Sequence, residues 1–371
     1  MRKICIVFFI IFIGFNLHAA DWNITGAGAR VAGMGGAFIG VADDATAITW
    51  NPGGLTQLYR PEVSVVTRYI TEKYDAEYDE ETYDQGHFVV NFVSAAYPLM
   101  NGKLVVALAY QKQLDMFSDW GDDTESFGGA NTITPGLAYR IIPLLSIGMA
   151  TNIWTGSWEE DTIDYGDYVS RSINFSGFNM NLGAMLDFSN FQNPIPLKFG
   201  FSMRTPFELE VEVDADYDYY DDMEYTNIVE MPMMMGFGAS YRIGENFTVA
   251  ADYEMRKYGA SEIVYEDDSS VPLSDSEEDL NQFRVGGEYL VITDFAVIPL
   301  RLGYQNVPTL IADENEDQVV GTGLSFGSGL IFERFSFDVT FQISGYEYEN
   351  YDWGNIKKNK STLTFSGIFY F

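Results

Sequence analysis

The chain has 371 residues and carries 54 acidic against 21 basic side chains, a formal net charge of −33. That balance excludes a nucleic-acid binder, because phosphate contacts need a basic face. Aromatics are 16 % of the chain and there are 35 glycines, yet the mean hydropathy is only −0.06. Past the first twenty residues no run approaches the ~18 apolar residues of a membrane helix.

Met1–Ala20 reads as a targeting segment. Arg2 and Lys3 precede an apolar run from Ile4 to Leu17, and His18-Ala19-Ala20 offers a cleavage site. The single cysteine, Cys5, leaves with it, so the expected mature chain has no disulfide or thiolate metal site. Its charge is −35, because the segment holds two bases and no acid.

Residues 21–61 form a second kind of segment, rich in small residues and without strand alternation. Glycines at 26, 28, 33, 35 and 36 permit tight turns and close backbone approach. Asp43 or Asp44 is placed to cap a short helix over Ala45–Ile48, which Pro52 would stop. As a phosphate-binding loop the segment is poor: no lysine follows it and no α/β pattern surrounds it.

From residue 62 onward the chain alternates. Phe335, Phe337, Val339, Phe341 and Ile343 fall on one side of a strand, and Ser336, Asp338, Thr340, Gln342 and Ser344 on the other. Leu363, Phe365, Phe369 and Phe371 repeat the pattern at the C-terminus, whose last aromatic resembles the assembly signal of outer-membrane barrels. Fourteen such strands are predicted over 62–70, 87–98, 103–113, 130–140, 144–156, 171–187, 196–211, 229–242, 246–257, 280–291, 298–305, 319–332, 334–346 and 360–371. Long connections (71–86, 114–129, 157–170, 212–228, 258–279, 306–318, 347–359) alternate with short ones at 100–103, 141–143, 244–246 and Glu333. An all-β, antiparallel transmembrane barrel sorts its loops this way, and a soluble sandwich has no reason to. The expected location is the bacterial outer membrane, with both chain ends in the periplasm.

The acid is concentrated in the long connections. Asp214, Asp216 and Asp218 have the spacing that opens a calcium loop, but no glycine or twelfth-position glutamate follows. A solvated acidic loop is the expected reading, and no metal or other cofactor is assigned. Loose bridging by divalent ions to the lipopolysaccharide surface fits the same charge. After cleavage only His87 remains as a histidine, so no catalytic residue is assigned and no enzyme is expected.

The run "GARVAGMGGAFIGVADDATAITWNPGGL" at 28–55, followed by Arg60-Pro61, resembles the N-terminal hatch of the FadL/TodX family of hydrophobic-compound transporters. Gly28–Arg30, Gly35-Gly36, Ala42–Ala45 and Asn51-Pro52 carry the resemblance, and Met231-Pro232 to Tyr258 is similar to a family strand pair. Gly53 departs from the alanine usual there. The resemblance implies a barrel over 62–371 plugged by 21–61, with Gly26, Arg30, Gly35, Gly36, Asp43, Asp44, Asn51 and Pro52 in the plug. It implies a monomer that imports long-chain fatty acids or other hydrophobic small molecules and releases them sideways into the bilayer. The related PorV-like barrels share the Trp-Asn-Pro look and imply a protein-secretion partner instead.

Strand parity places Arg68, Arg204, Arg256 and Arg284 in the lumen towards its outer end, with Lys198 and Arg301 lower. Each is a candidate contact for a ligand carboxylate. Each also has a bland reading as half of an internal ion pair: Arg256 with Glu254 or Glu288, and Arg30 as an anchor of the plug to the wall.

Overall fold

The structure is a computed structural model that describes residues 26–78, 82–119, 124–164, 167–190, 193–218, 221–351 and 353–371. The targeting segment 1–20 and residues 21–25 of the hatch lie outside the described residues. Fourteen strands make the wall. They are β1 (Glu62–Ala76), β2 (Thr82–Leu99), β3 (Leu104–Lys112), β4 (Asn131–Ile142, preceded by an outer piece Thr124–Gly128) and β5 (Leu145–Thr155, continued by Ser157–Asp164). Next come β6 (Asp167–Asp187), β7 (Leu197–Arg204, then Phe207–Tyr217), β8 (Met223–Met231, then Met234–Ile243), β9 (Phe247–Arg256) and β10 (Leu280–Ile292). The last four are β11 (Val297–Ala312), β12 (Gln318–Ile331), β13 (Phe335–Asn350) and β14 (Gly354–Tyr370). Each strand pairs antiparallel with its neighbours, and β14 closes on β1 from Tyr370 opposite Glu62 to Ile356 opposite Ala76. Among the described residues closure leaves no free sheet edge through the lower part of the wall, the condition for crossing lipid with strands.

The outward side chains are apolar and exposed. Phe237, Leu302 and Phe326 are each more than half accessible, whereas Asp252 and Arg284 on the lumen side are 1 % accessible. A soluble protein would reverse that sorting. Outward aromatics cluster at two heights. Tyr97, Tyr139, Tyr241 and Tyr289 lie near the short turns, and Tyr69, Phe88, Tyr253 and Phe283 towards the long connections. Such belts mark the two membrane interfaces.

The expected long loops are corrected in kind. Most of 71–76, 82–86, 157–164, 167–170, 212–217, 223–228, 306–312, 347–350 and 354–359 is strand, so the wall rises well beyond the membrane. Asp214 and Asp216 sit in β7 with side chains pointing outward, and Asp214 lies opposite Glu224 of β8; they line a strand, not a loop. The alternation of 207–217 already has a strand period, but its charge made it look like a connection.

Two strands read as continuous are broken. β7 is interrupted at Thr205-Pro206 and β8 at Pro232-Met233. A proline has no N–H for the ladder, so the chain steps and its parity inverts. Before the step in β7 the lumen side is Gly200, Ser202 and Arg204. After it, Leu209, Val211, Val213 and Ala215 face inward, buried, while Glu208, Glu210, Glu212 and Asp214 face outward. Apolar-in and acidic-out is the pattern of a water-soluble sheet. The barrel therefore has two storeys: a lower one in lipid, and an upper dome in water with its own apolar core.

Candidate functional site

The lower storey is filled by the hatch. The short helix α1 (Ala29–Gly33) packs against β12 and β13, followed by turns, a second helix α2 (Ala47–Trp50) and a 3-10 turn (Pro52–Gln57). The helix expected at Ala45–Ile48 lies two residues later, because the Asp44 carboxylate takes the N–H and hydroxyl of Thr46 and holds that residue ahead of the first turn. Pro52 opens the 3-10 turn rather than merely ending a helix, since its fixed φ suits a first position.

Backbone-on-backbone contact seats this segment. A Cβ on Gly200 of β7 would stand 1.9 Å from the carbonyl oxygen of Ile39, and one on Gly303 of β11 would stand 1.9 Å from the nitrogen of Gly35. Only glycine on the wall admits the hatch that close. Asp252 of β9 accepts the N–H groups of Phe38 and Ile39 at 2.6 and 2.8 Å. Asn51 donates to the carbonyls of Ile39 and Ala184 and accepts from Gly53, which accounts for the Asn-Pro motif. The departure at Gly53 has a local reason: a Cβ there would meet the Ala184 Cα at 2.9 Å.

An ion-pair chain ties the hatch to three wall strands. Arg30 grips Glu288 of β10 with two nitrogens, each at 2.9 Å, and reaches Asp43 with a third. Arg301 of β11 shares Glu288 at 2.7 Å and holds Asp338 of β13 at 2.6 Å. Buried charges persist only when paired this fully. Arg140 and Lys198 clamp the end of the hatch from below, through the Thr56 carbonyl and the Gln57 side chain. Beneath it a vestibule of about 520 Å3 opens to the periplasm, with Asp43, Glu62 and Arg242 on its walls.

The four candidate arginines separate into two kinds. Arg256 and Arg284 share the Glu254 carboxylate and the Gln282 amide oxygen, and Arg284 also lies over the Trp50 ring at 5.3 Å. Their charge is answered internally. Arg68 donates to the carbonyl of Gly26 at 3.1 Å, capping the described start of the hatch. Arg204 has no carboxylate partner among the described residues. It is buried, its Nε donates to Asn181 Oδ1 at 3.1 Å, and its Nη1 has no hydrogen-bond partner among the described residues.

Around Arg204 the amides are oriented by donor-only neighbours. Trp154 Nε1 and Asn152 Nδ2 both donate to Asn179 Oδ1, at 2.9 and 3.0 Å. Arg204 Nε and Asn152 Nδ2 both donate to Asn181 Oδ1. An indole and a guanidinium cannot accept, so both amide oxygens are consumed and both NH2 groups turn away. Asn179 Nδ2, Asn181 Nδ2 and Arg204 Nη1 are left as buried donors with no acceptor. A buried unfilled donor costs about 1–3 kcal/mol, more when charged. The three donors, one of them the Arg204 guanidinium itself, offer a seat for an anionic oxygen, with Glu254 on the wall of the adjoining cavity. A small cavity of about 30 Å3, roughly the size of one water or carboxylate, lies between this seat and Trp50 and Thr49 of the hatch.

Directly outward lies the core of the dome. Trp154, Phe175, Leu209, Met231 and Met234 form one buried cluster with Tyr258, Ile263 and Leu273, which come from the β9–β10 connection. Leu114 and Met116 join it because the chain leaves the wall after Lys112: the N–H groups of Gln113 and Leu114 both go to the Ala130 carbonyl. Asp115 fixes this inward flap through His87 at 2.7 Å and Lys112 at 3.2 Å. Burial pushes the Asp115 carboxyl up, but those two partners outweigh it and hold it below the usual range. Sequence reading missed Asn152, Asn179 and Asn181; lumen parity on β5 and β6 was the available signal, and their joint height was not.

Comparison with known proteins agrees with this architecture. The BamG family model matches residues 30–359. No curated protein matches the sequence. The fold is shared with a FadL homologue of Pseudomonas aeruginosa at 13 % identity and TM-score 0.72, covering 94 % of this chain and 99 % of that one. It is shared also with the toluene transporter TbuX of Ralstonia pickettii (14 %, TM-score 0.63, the same two coverages). The P. putida toluene transporter TodX gives 11 %, TM-score 0.64 and again 94 % and 99 %. The chain thus shares the fold of these structures, a plugged fourteen-strand barrel of FadL type.

Proposed function

The chain belongs to the BamG family, and from the contents of its FadL-type barrel we propose that it takes up small hydrophobic molecules bearing an anionic group, long-chain fatty acids being the simplest. The single observation that carries this reading is the seat at Arg204, Asn179 and Asn181, set immediately beneath the apolar core of the dome. An amphipathic molecule matches that order of environments: its tail replaces dome side chains and its carboxylate satisfies the three donors. A water-filled porin has no use for either part.

Entry is from outside, by displacement of the Leu114–Met116 flap or of the β9–β10 connection. Onward movement requires the hatch to shift or the molecule to leave sideways through the wall. Arg68, Arg256 and Arg284 serve as framework on this reading, and Arg204 is the residue that meets the ligand. The outer-membrane lipids provide the bilayer into which the product is released, and the barrel works as a monomer.

The test is the lipid extract of the purified full-length barrel, identified by mass spectrometry, followed by binding of palmitate and of hexadecane to the native protein and to Arg204→Leu. Palmitate affinity is expected to fall at least ten-fold in the variant while hexadecane binding is kept. A purified barrel that carries a bound protein and no amphiphile would instead support the secretion-partner reading and refute uptake.

A further inference from the structure

β12 is hydrogen-bonded to β13 along most of its length, but the ladder stops where Thr322 faces Gly345. Outward of that pair β12 stays with β11, with Gly321 opposite Val307 and Val320 opposite Pro308. β13 stays with β14 as far as Asn350 opposite Gly354. Gly321 still lies against Gly345, where an added Cβ would stand 2.4 Å from the carbonyl oxygen, but the ladder is not resumed; above, the β11–β12 connection touches β13, where the Glu314 N–H donates to the Glu349 carbonyl at 3.2 Å. A notch of about 420 Å3 lies between them.

The notch faces lipid. Val320 and Leu324 continue the outward row of Phe326, and Ile343 continues that of Phe335, Phe337 and Phe341; all are exposed. Phe335 to Ile343 is about the nine residues that a tilted strand needs to cross the hydrocarbon, so the notch stands at the outer-leaflet boundary. Its outer rim carries Lys357, Asn359 and Glu347.

Lys357 is exposed, and its ammonium pairs with no carboxylate among the described residues. Its neighbours across the ladders are Glu347 and Asp75. Glu347 accepts from Asn355 Nδ2 at 2.7 Å, and Asp75 pairs with Lys73 at 3.3 Å, so neither carboxylate is drawn into an ion pair with Lys357. The inward lysines of the same run, Lys358 and Lys360, are spent on Glu72. Across the barrel, β7 shows five outward acids in its outer piece, Glu208 to Asp216. The wall at β7 is thus acidic on its outside, whereas at β12–β13 an exposed cation stands above an apolar notch at the leaflet boundary. Charge and position select one occupant: an anionic headgroup with acyl chains attached.

We propose that the β12–β13 notch is a binding site for a phosphorylated lipid of the outer leaflet, with an acyl chain against Val320, Leu324 and Ile343 and the phosphate on Lys357. The site is independent of the lumen and of whatever passes through it. One lysine near a membrane surface contributes about a five-fold preference for an anionic lipid.

Native mass spectrometry of the full barrel with bisphosphorylated lipid A, and with the same lipid dephosphorylated, tests this. The native barrel is expected to retain the phosphorylated form about five-fold better. Lys357→Gln is expected to abolish that preference, Lys357→Arg to keep it, and Val320→Trp, which fills the notch, to weaken retention of both lipids. Equal retention of the two lipids by the native barrel, or a preference that survives Lys357→Gln, overturns the proposal. So does a Val320→Trp barrel, shown to be assembled by its heat-modifiable migration, that retains both lipids normally.

Discussion

Replacing Gly200 with valine tests whether the hatch is what closes the barrel. The first added carbon would stand 1.9 Å from the Ile39 carbonyl oxygen. Ordinary contact requires that oxygen to retreat by more than about 1 Å, because close-packed atoms do not interpenetrate. Ile39 is also where Asn51 Nδ2 donates and where Asp252 receives an N–H. A shift of that size breaks both bonds and leaves a buried carboxylate short of a donor. At about 1.5–3 kcal/mol for a bond to a charged group and about 1 kcal/mol for the neutral one, docking of the hatch weakens by about 2.5–4 kcal/mol. The wall is little affected: Gly200 keeps its ladder partners Gly238 and Met185, and its substituent points into the lumen. The expected variant is an assembled, heat-modifiable barrel that conducts small ions in a planar bilayer where the native protein is closed. Gly287→Ala is the control, since its Cβ meets nothing nearer than Phe247 at 3.4 Å. A correctly assembled Gly200→Val barrel with native conductance would refute the claim that the seated hatch seals the lumen.

Deletion of 21–55 should give a leaky but assembled barrel, read as sensitivity of cells to large polar antibiotics; unchanged permeability contradicts the plug. Glu288→Gln removes the buried carboxylate that Arg30 and Arg301 share, leaving Arg30 with Asp43 alone and Arg301 with Asp338 alone; breaking such a buried pair costs about 3–5 kcal/mol and should expose 26–58 to protease in the purified barrel. Asp115→Asn should loosen the Leu114–Met116 flap, and Trp154 and Trp158 emission should shift to the red. Because the Asp115 carboxyl is held below its usual value, the stability it gives is present above the unfolded value of about 3.9. It is lost as pH falls through the lower folded value, so the native protein should show the same red shift only in strong acid. A native emission spectrum that moves between pH 7 and pH 5 would contradict that assignment.

Strand alternation at period two is local, so the β-class, the outward faces of 335–343 and 363–371, and the count of fourteen strands were legible in the chain. The hatch was legible too, because Asn51-Pro52 and the paired glycines mark backbone that must turn tightly or lie flat on a wall. The dome was misread as acidic loops, since charge outweighed period in 207–217; the inward Leu209, Val211 and Val213 were present in the sequence but had no visible partner. Parity placed Arg68, Arg204, Arg256 and Arg284 on one side of the wall without distinguishing them. Which arginine keeps an unanswered charge depends on what stands at the same height on neighbouring strands. Glu254 reaches Arg256 within its own strand and Arg284 across one ladder. Arg204 instead meets asparagines whose oxygens are already claimed by Trp154 and by one another. That assignment depends on register, which is set by closure of the whole barrel. The sequence by itself determined the alternating wall and the kind of segment that fills it; tertiary structure alone decided where charge is left unpaired, because pairing across strands joins residues tens to hundreds of positions apart.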